Sequence, residues 1–117
     1  MTTTRTQKMA QQAYQVIQKR LGNKDNQEYE SFAKRFPALI HACGLAQAVA
    51  FALKSRSDYV EDLASVLHAV GYQKIDRNQV NSLDEQARES GLVEYLRLSR
   101  DALLAAGWLK RYVEARG

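Results

Sequence analysis

The sequence contains few of the residues from which catalytic and metal sites are built. It has one cysteine, Cys43, and two histidines, His41 and His68, among 117 residues. Zinc sites need clustered cysteine or histidine ligands, whereas His41 and Cys43 are two apart and point to different sides of a helix. Phosphate-binding glycine motifs and the nucleophile motif G-x-S-x-G are absent. We therefore expect a protein that is not an enzyme and that holds no metal ion and no cofactor.

Long hydrophobic runs are also missing. The most apolar segment, residues 39–53, is interrupted by His41, Gly44 and Gln47 and is shorter than the roughly 20 residues of a membrane span. The N-terminal sequence lacks the apolar stretch of a secretory signal, and the single Cys43 cannot form an internal disulfide. These absences predict a cytoplasmic protein that does not enter a membrane.

Acidic residues are absent from the first 24 positions. The net charge of +4 is the sum of +5 in residues 1–24 and −1 in the remainder, which contains 12 basic and 13 acidic residues. The basic residues of the first segment are Arg5, Lys8, Lys19, Arg20 and Lys24. A cationic segment of this kind favours contact with a polyanion, and the alternative is a solvated helix face that aids solubility.

Hydrophobic periodicity predicts that the first helix is amphipathic. Five apolar residues recur at helical spacings and define its inner face, namely Ala10, Ala13, Tyr14, Ile17 and Leu21. Its other side carries hydrogen-bond donors and no carboxylate, namely Arg5, Lys8, Gln12, Gln15 and Lys19. Gly22 is expected to end this helix. A side that presents donors alone is well suited to phosphate oxygens.

The same periodicity predicts five further helices, at residues 26–35, 39–53, 57–71, 83–90 and from 92 onward. Pro37 is expected either to end the first of these or to open the next one, and Ser99 is expected to N-cap the long apolar series that follows it. Residues 39–53 are apolar on nearly every side, which predicts the buried centre of the bundle, with Phe51 in its core. Period-two alternation is absent, so no strand is predicted. The expected fold is all-α, a single-domain bundle of about six helices over residues 1–117 around a central apolar helix.

Two pairs of adjacent acidic residues are Glu61-Asp62 and Asp84-Glu85. Neighbouring positions diverge around a helix, so neither pair is arranged to share a cation. We interpret both pairs as solvated residues that complement the positive N-terminal ends of their helices.

An aromatic pair lies near the C-terminus. Trp108 and Tyr112 are four apart and share one helix face, with Lys110 and Arg111 between them. Such residues can stack on unpaired bases and hold phosphates. The favoured interpretation is a packing anchor, with the two cations extending past it to solvent.

Two stretches of the chain carry a family resemblance. The central one joins Phe36-Pro37-Ala38-Leu39-Ile40 to Gly44-Leu45-Ala46-Gln47-Ala48-Val49-Ala50-Phe51-Ala52-Leu53-Lys54. The C-terminal one combines Tyr95-Leu96, Ala102-Leu103 and Trp108-Leu109-Lys110-Arg111. Together with the basic first helix, they resemble the small subunit of type III-B CRISPR effector complexes, the Cmr complex. The resemblance spans most of the chain.

The resemblance implies an all-helical subunit without an active site, in an RNA-guided assembly for antiviral defence. The implied partners are the guide CRISPR RNA, the target RNA, the RAMP-type backbone subunits, the large polymerase-like subunit and further copies of the chain. Small subunits of this family stack beside the backbone subunits and line the channel of the guide–target duplex. The candidate RNA-binding residues are then Arg5, Lys8, Lys19, Arg20, Lys24, Lys54, Lys110 and Arg111.

Two other functions stay open at this point. A small basic DNA-binding regulator would place a helix-turn-helix at residues 66–80, although the polar connection after Gly71 is longer than the usual turn of three or four residues. A purely structural helical adaptor would use its cations for solubility alone.

Overall fold

The computed structural model describes residues 3–116, and positions 1, 2 and 117 of the expected domain lie outside this range. Within it are five helices and no strand, in the order α1 (Arg5–Leu21), α2 (Gln27–Ser55), α3 (Ser57–Ala69), α4 (Ser82–Glu89) and α5 (Leu92–Arg116). All five contribute side chains to one hydrophobic core. The predicted all-α class is confirmed, while the number of helices is five instead of about six.

Helix α1 begins with a capping box. Thr4 Oγ1 accepts a hydrogen bond from the Gln7 backbone N–H, and the Gln7 side chain accepts one from the Thr4 N–H. The helix ends at Gly22, as predicted, where φ is 53°. The inner face differs from the prediction, because Tyr14 is 50% exposed and because Met9 and Val16, which were not predicted, are buried.

Helix α2 reverses direction at Gly44, whose φ of 83° and ψ of 162° are not helical. The rings of Phe32 and Phe51 stack with centroids 6.2 Å apart. In a straight helix, residues 19 positions apart would be separated by about 28 Å. Helix α2 is therefore two arms folded against each other. The predicted break at Pro37 is wrong, since Pro37 lies within the first arm.

The second arm of α2 buries one side only. Its inward residues are Leu45, Ala48, Val49 and Ala52, all buried, whereas Phe51 is 53% exposed. The predictions of a helix buried on all sides and of a core position for Phe51 are therefore wrong. The apolar residues of this arm divide between the core and a surface.

By length and composition, α2 is the one helix within residues 3–116 that could cross a membrane. The reversal at Gly44 divides it into arms that are each shorter than the roughly 20 residues of a typical span. Its geometry is that of a folded helix pair packed on α3, α4 and α5.

Helix α3 contributes the most buried carboxylate of the described residues, Asp62, which is 0% exposed. Four donor atoms from three side chains reach it: Nε and Nη2 of Arg20, Oη of Tyr29 and Nη2 of Arg77. The prediction that the Glu61-Asp62 pair is solvated is therefore wrong for Asp62. This carboxylate connects α1, α2, α3 and the loop at residues 70–81.

Helix α5 is continuous from Leu92, so the predicted N-cap at Ser99 is wrong. Asp101, expected to mark that helix start, is instead buried and binds residues of other segments. At the far end of α5, Arg116 donates to the carbonyl oxygens of Gly22 (2.7 Å) and Lys24 (2.8 Å). These bonds fix the end of α1 to the end of α5.

Candidate nucleic-acid interface

Two exposed lysines of α1 lie along a face of this helix that has no acidic residue. Lys8, Gln15 and Lys19 are all exposed. Helical geometry places Lys8 and Lys19, eleven residues apart, on the same side and about 16 Å apart along the axis. Within residues 3–116, neither lysine side chain makes a hydrogen bond or a salt bridge. We call Lys8, Gln15 and Lys19 the cationic face.

Other members of the predicted donor side have intramolecular partners. The Gln12 amide donates to Ser65 Oγ at 2.8 Å, which turns it towards α3. Arg20 holds the two oxygens of Asp62 through Nε (2.8 Å) and Nη2 (3.0 Å). The hydrogen bond to Asp62 raises the pKa of the Arg20 guanidinium above its ordinary value. Arg20 is thus engaged in stabilising the fold.

Arg5, at the start of α1, is half exposed and fixed in position. Its Nη2 donates to Asp101 Oδ2 at 2.6 Å, and its Nη1 donates to the carbonyl oxygen of Val70. Tyr72 Oη donates to the same Asp101 oxygen at 2.6 Å. Burial, together with this hydrogen bond, raises the pKa of Tyr72 to about 12. Arg5 therefore joins α1, α5 and the end of α3.

The contact between α1 and α5 brings three aromatic side chains together. Tyr14 and Tyr112 meet edge to face with ring centroids 5.5 Å apart, and Tyr112 stacks on Trp108 at 5.8 Å. The Arg111 guanidinium lies over Trp108, 5.2 Å from the ring centroid. Trp108 and Tyr112 pack against the core, in agreement with the favoured packing interpretation. We call Tyr14, Tyr112 and Trp108 the aromatic row.

The remaining predicted RNA-binding residues lie at three separate places. Lys24 is exposed in the connection between α1 and α2, and Lys54 is exposed near the end of α2. Lys110 is partly buried on α5, next to the exposed Arg111. The structure brings Arg111 to the aromatic row but does not gather all eight residues into one site.

Sequence reasoning missed two exposed cations, Arg97 and Arg100. Together with Arg5 they line a cavity of about 430 Å³ between α1, α5 and the end of α3. The missed signal was the helical spacing of Arg97 and Arg100, which are three apart. The expected N-cap at Ser99, which the structure does not have, falls between these two arginines.

His41 and Cys43 lie on α2, and His68 lies on α3. His41 and His68 are exposed, and His68 Nδ1 is 3.1 Å from the carbonyl oxygen of Ile75. The Cys43 thiol is 3.2 Å from the Leu39 carbonyl oxygen. Within residues 3–116, no three His, Cys, Asp or Glu side chains come close enough to hold a metal ion.

These features define a class: a small all-α protein with a cationic face and an aromatic row on its surface. Comparison with known proteins gives the family. A profile described as CRISPR-associated protein (Cas_Cmr5) matches residues 5–116. The "CRISPR system Cmr subunit Cmr5" of Thermus thermophilus is 38% identical over 117 residues, covering 96% of this chain and 95% of that protein.

A solved structure agrees with this assignment. The X-ray crystal structure of a CRISPR-associated Cmr5 family protein from Thermus thermophilus matches with a TM-score of 0.82 and 39% identity, over 97% of each chain. The chain belongs to the Cmr5 family of CRISPR-associated proteins. The resemblance to the small subunit of the type III-B Cmr complex is confirmed.

Proposed function

We propose that this Cmr5-family chain is a non-catalytic subunit that helps to hold guide and target RNA in a basic channel of a type III-B effector complex. The observation that carries the proposal is the cationic face, in which Lys8 and Lys19 are exposed and unpaired within the described residues. Its cations meet phosphates without reading bases, and base pairing between guide and target supplies sequence specificity.

The aromatic row supports the same role. Tyr14 is 50% exposed beside Tyr112 and Trp108, and Arg111 adds a cation over the Trp108 ring. Exposed rings interleaved with cations offer a stacking surface to unpaired bases. The row lies where α1 meets α5, and α1 also carries the cationic face. Together they offer a surface for RNA that includes two helices.

Contacts with protein neighbours are assigned to the exposed apolar residues. These are Phe51 on α2 and Leu92, Val93, Leu96 and Leu104 on α5. Leu92, Val93 and Leu96 lie within five consecutive residues, and exposed apolar groups so close together mark sites of protein association. The proposed neighbours are the RAMP-type backbone subunits, the large polymerase-like subunit and further copies of the chain, in a cytoplasmic complex.

A DNA-binding regulator is a weaker proposal for this fold. Helices α3 and α4 are separated by residues 70–81, whereas a helix-turn-helix joins its helices through three or four residues. This segment is also attached to α3, because Arg77 donates to Asp62 at 2.8 Å. It therefore does not present α4 as a free recognition helix.

The test uses a reconstituted effector complex loaded with guide RNA. Affinity for target RNA falls as the salt concentration rises. Lys8→Ala/Lys19→Ala should make the plot of log affinity against log salt less steep by about 1.4 to 1.8, because each cation neutralises one phosphate. Lys34→Ala/Lys74→Ala removes two other exposed lysines and is the matched control. The positions of the target cuts should stay the same. Unchanged affinity at every salt concentration would assign the cationic face to solvent or to a protein neighbour.

A further inference from the structure

The cavity between α1, α5 and the end of α3 is unusually rich in arginine. Its volume is about 430 Å³, and its lining residues are Arg5, Val70, Gly71, Tyr72, Arg97, Arg100 and Asp101. Three guanidinium groups therefore surround a space whose lining includes one carboxylate. The balance of charge within the lining is +2.

The single carboxylate is already engaged. Asp101 is 6% exposed, and its Oδ2 accepts hydrogen bonds from Arg5 and from Tyr72, both at 2.6 Å. Arg5 uses one donor for this bond and another for the carbonyl oxygen of Val70. A guanidinium has five N–H donors, so three of those on Arg5 are left over at a fixed position. One wall of the cavity is thus rigid and rich in donors.

The lining also includes two cations that have no protein partner within the described residues. Arg97 and Arg100 are exposed, and within residues 3–116 neither makes a hydrogen bond or a salt bridge. They are three apart on α5, a spacing at which like charges repel each other. An anion between them and Arg5 would remove this repulsion and supply acceptors for all three guanidinium groups.

We propose that this cavity is a binding site for a phosphate group, held by Arg97 and Arg100 against the fixed guanidinium of Arg5. Guanidinium donors match phosphate oxygens in pairs, so the arginine side chains fit this ligand better than lysine would. A backbone phosphate of RNA and free phosphate share this chemistry. With RNA as the source, the inference rests on the proposed function and extends the RNA surface on α5 from its second half to its first half.

The first test uses the isolated chain and inorganic phosphate. Arginine Nε–Hε signals are followed by NMR during titration at constant ionic strength, with chloride as the competing anion. Saturable shifts are expected for Arg5, Arg97 and Arg100, and they should disappear in Arg97→Ala/Arg100→Ala. Arg35→Ala/Arg88→Ala, which removes two exposed arginines outside the cavity, should keep them. Shifts that do not saturate, or that equal those produced by chloride, would overturn the site.

The second test identifies the source of the phosphate. In the reconstituted complex, Arg97→Ala/Arg100→Ala should make the plot of log affinity for target RNA against log salt less steep by about 0.7 to 0.9, because the two arginines share one phosphate. A saturable phosphate response with an unchanged RNA slope would support the site and overturn RNA as its ligand. Lys8→Ala/Lys19→Ala is measured in parallel to separate this inference from the proposed function. Either double variant can leave the salt dependence of RNA binding unchanged while the other reduces it. Thermal unfolding of both variants should match that of the unchanged protein, since all four side chains are exposed and unpaired in the described structure.

Discussion

Tyr95 on α5 accepts a hydrogen bond from the backbone N–H of Ala46 at 3.1 Å, just after the reversal at Gly44. The first N–H groups of a helix have no intrahelical partner, so this tyrosine caps the second arm of α2. A Cβ at Gly44 would lie 3.6 Å from the same hydroxyl. The two sequence stretches that carry the family resemblance are therefore in contact, and each helps to position the other.

Gly44→Ala should lower the free energy of unfolding by about 1 to 3 kcal/mol, because a positive φ with an extended ψ is nearly restricted to glycine. The cause is backbone strain, since 3.6 Å is an ordinary contact distance for the added methyl group. Gly107→Ala is the matched control: it lies inside α5, and a Cβ there would meet no atom within 4 Å. That control should stabilise the protein by up to about 1 kcal/mol. Chemical denaturation measures both changes, and equal effects at the two glycines would contradict the role of Gly44.

Phe51→Ala should cost only about 1 kcal/mol of stability, because a half-exposed ring loses chiefly its stacking on Phe32. Phe36→Ala is the comparison, since Phe36 is 1% exposed and packs 4.9 Å from the Tyr59 ring. Phe36→Ala should lower the free energy of unfolding by about 3 to 5 kcal/mol. Urea denaturation of the two variants gives the difference. A larger loss at Phe51 than at Phe36 would restore the expectation drawn from periodicity.

Asp62→Asn should destabilise the protein by about 3 kcal/mol, because it leaves two arginines without their buried counter-ion. The expected loss is at the low end for a buried pair, since the Arg77 side chain is 36% exposed. Asp84→Asn is the control and breaks the exposed pair of Asp84 with Arg88. In chemical denaturation, the control should leave the midpoint concentration of denaturant nearly unchanged. A midpoint for Asp62→Asn as high as that of the control would show that the buried carboxylate is dispensable.

Stability should decrease as the pH rises above about 10. Burial raises the pKa of both Tyr29 and Tyr59 above the ordinary tyrosine value, and the negative charge of Asp62 adds to the effect. The unfolded chain therefore loses these protons first, and the stabilisation, complete below pH 10, decreases by about 1.4 kcal/mol per pH unit for each tyrosine. Denaturation curves from pH 8 to 11 measure the slope.

Tyr59→Phe isolates one of these contributions. The Tyr59 hydroxyl is buried without a hydrogen-bond partner among the described residues, so its removal breaks no bond. The variant should be at least as stable as the unchanged protein at pH 7 and should show a shallower decline above pH 10. Identical slopes in the two proteins would assign the alkaline sensitivity to other groups.

Periodicity predicted the elements that depend on local chemistry. The end of α1 followed from Gly22, and a loop at residues 72–81 was predicted from its polar composition, whereas the structure has helix α3 end two residues earlier than that prediction, at Ala69. The break in α2 was placed at the wrong residue because Pro37 is a familiar helix breaker. The true reversal at Gly44 depends on Tyr95, which is distant in sequence and is brought near only by packing.

The candidate site was predicted less completely than the fold. Charge counting found Lys8 and Lys19, which are free of partners within the described residues, but it could not separate them from Arg20. The difference lies in Asp62, whose burial is a tertiary property. Likewise, the convergence of Arg5 with Arg97 and Arg100 depends on how α1 and α5 cross.

Helix α1 is attached at both ends by arginine side chains. At its start, Arg5 is bound to Asp101 of α5, and at its end, Arg116 of α5 holds the carbonyl oxygen of Gly22. The backbone beneath the cationic face is therefore already ordered before any ligand arrives. The conformational entropy that this face loses on binding is confined to its side chains, at most about 2 kcal/mol for each lysine. An RNA that binds there must adapt its own shape to a helix backbone whose position is already fixed.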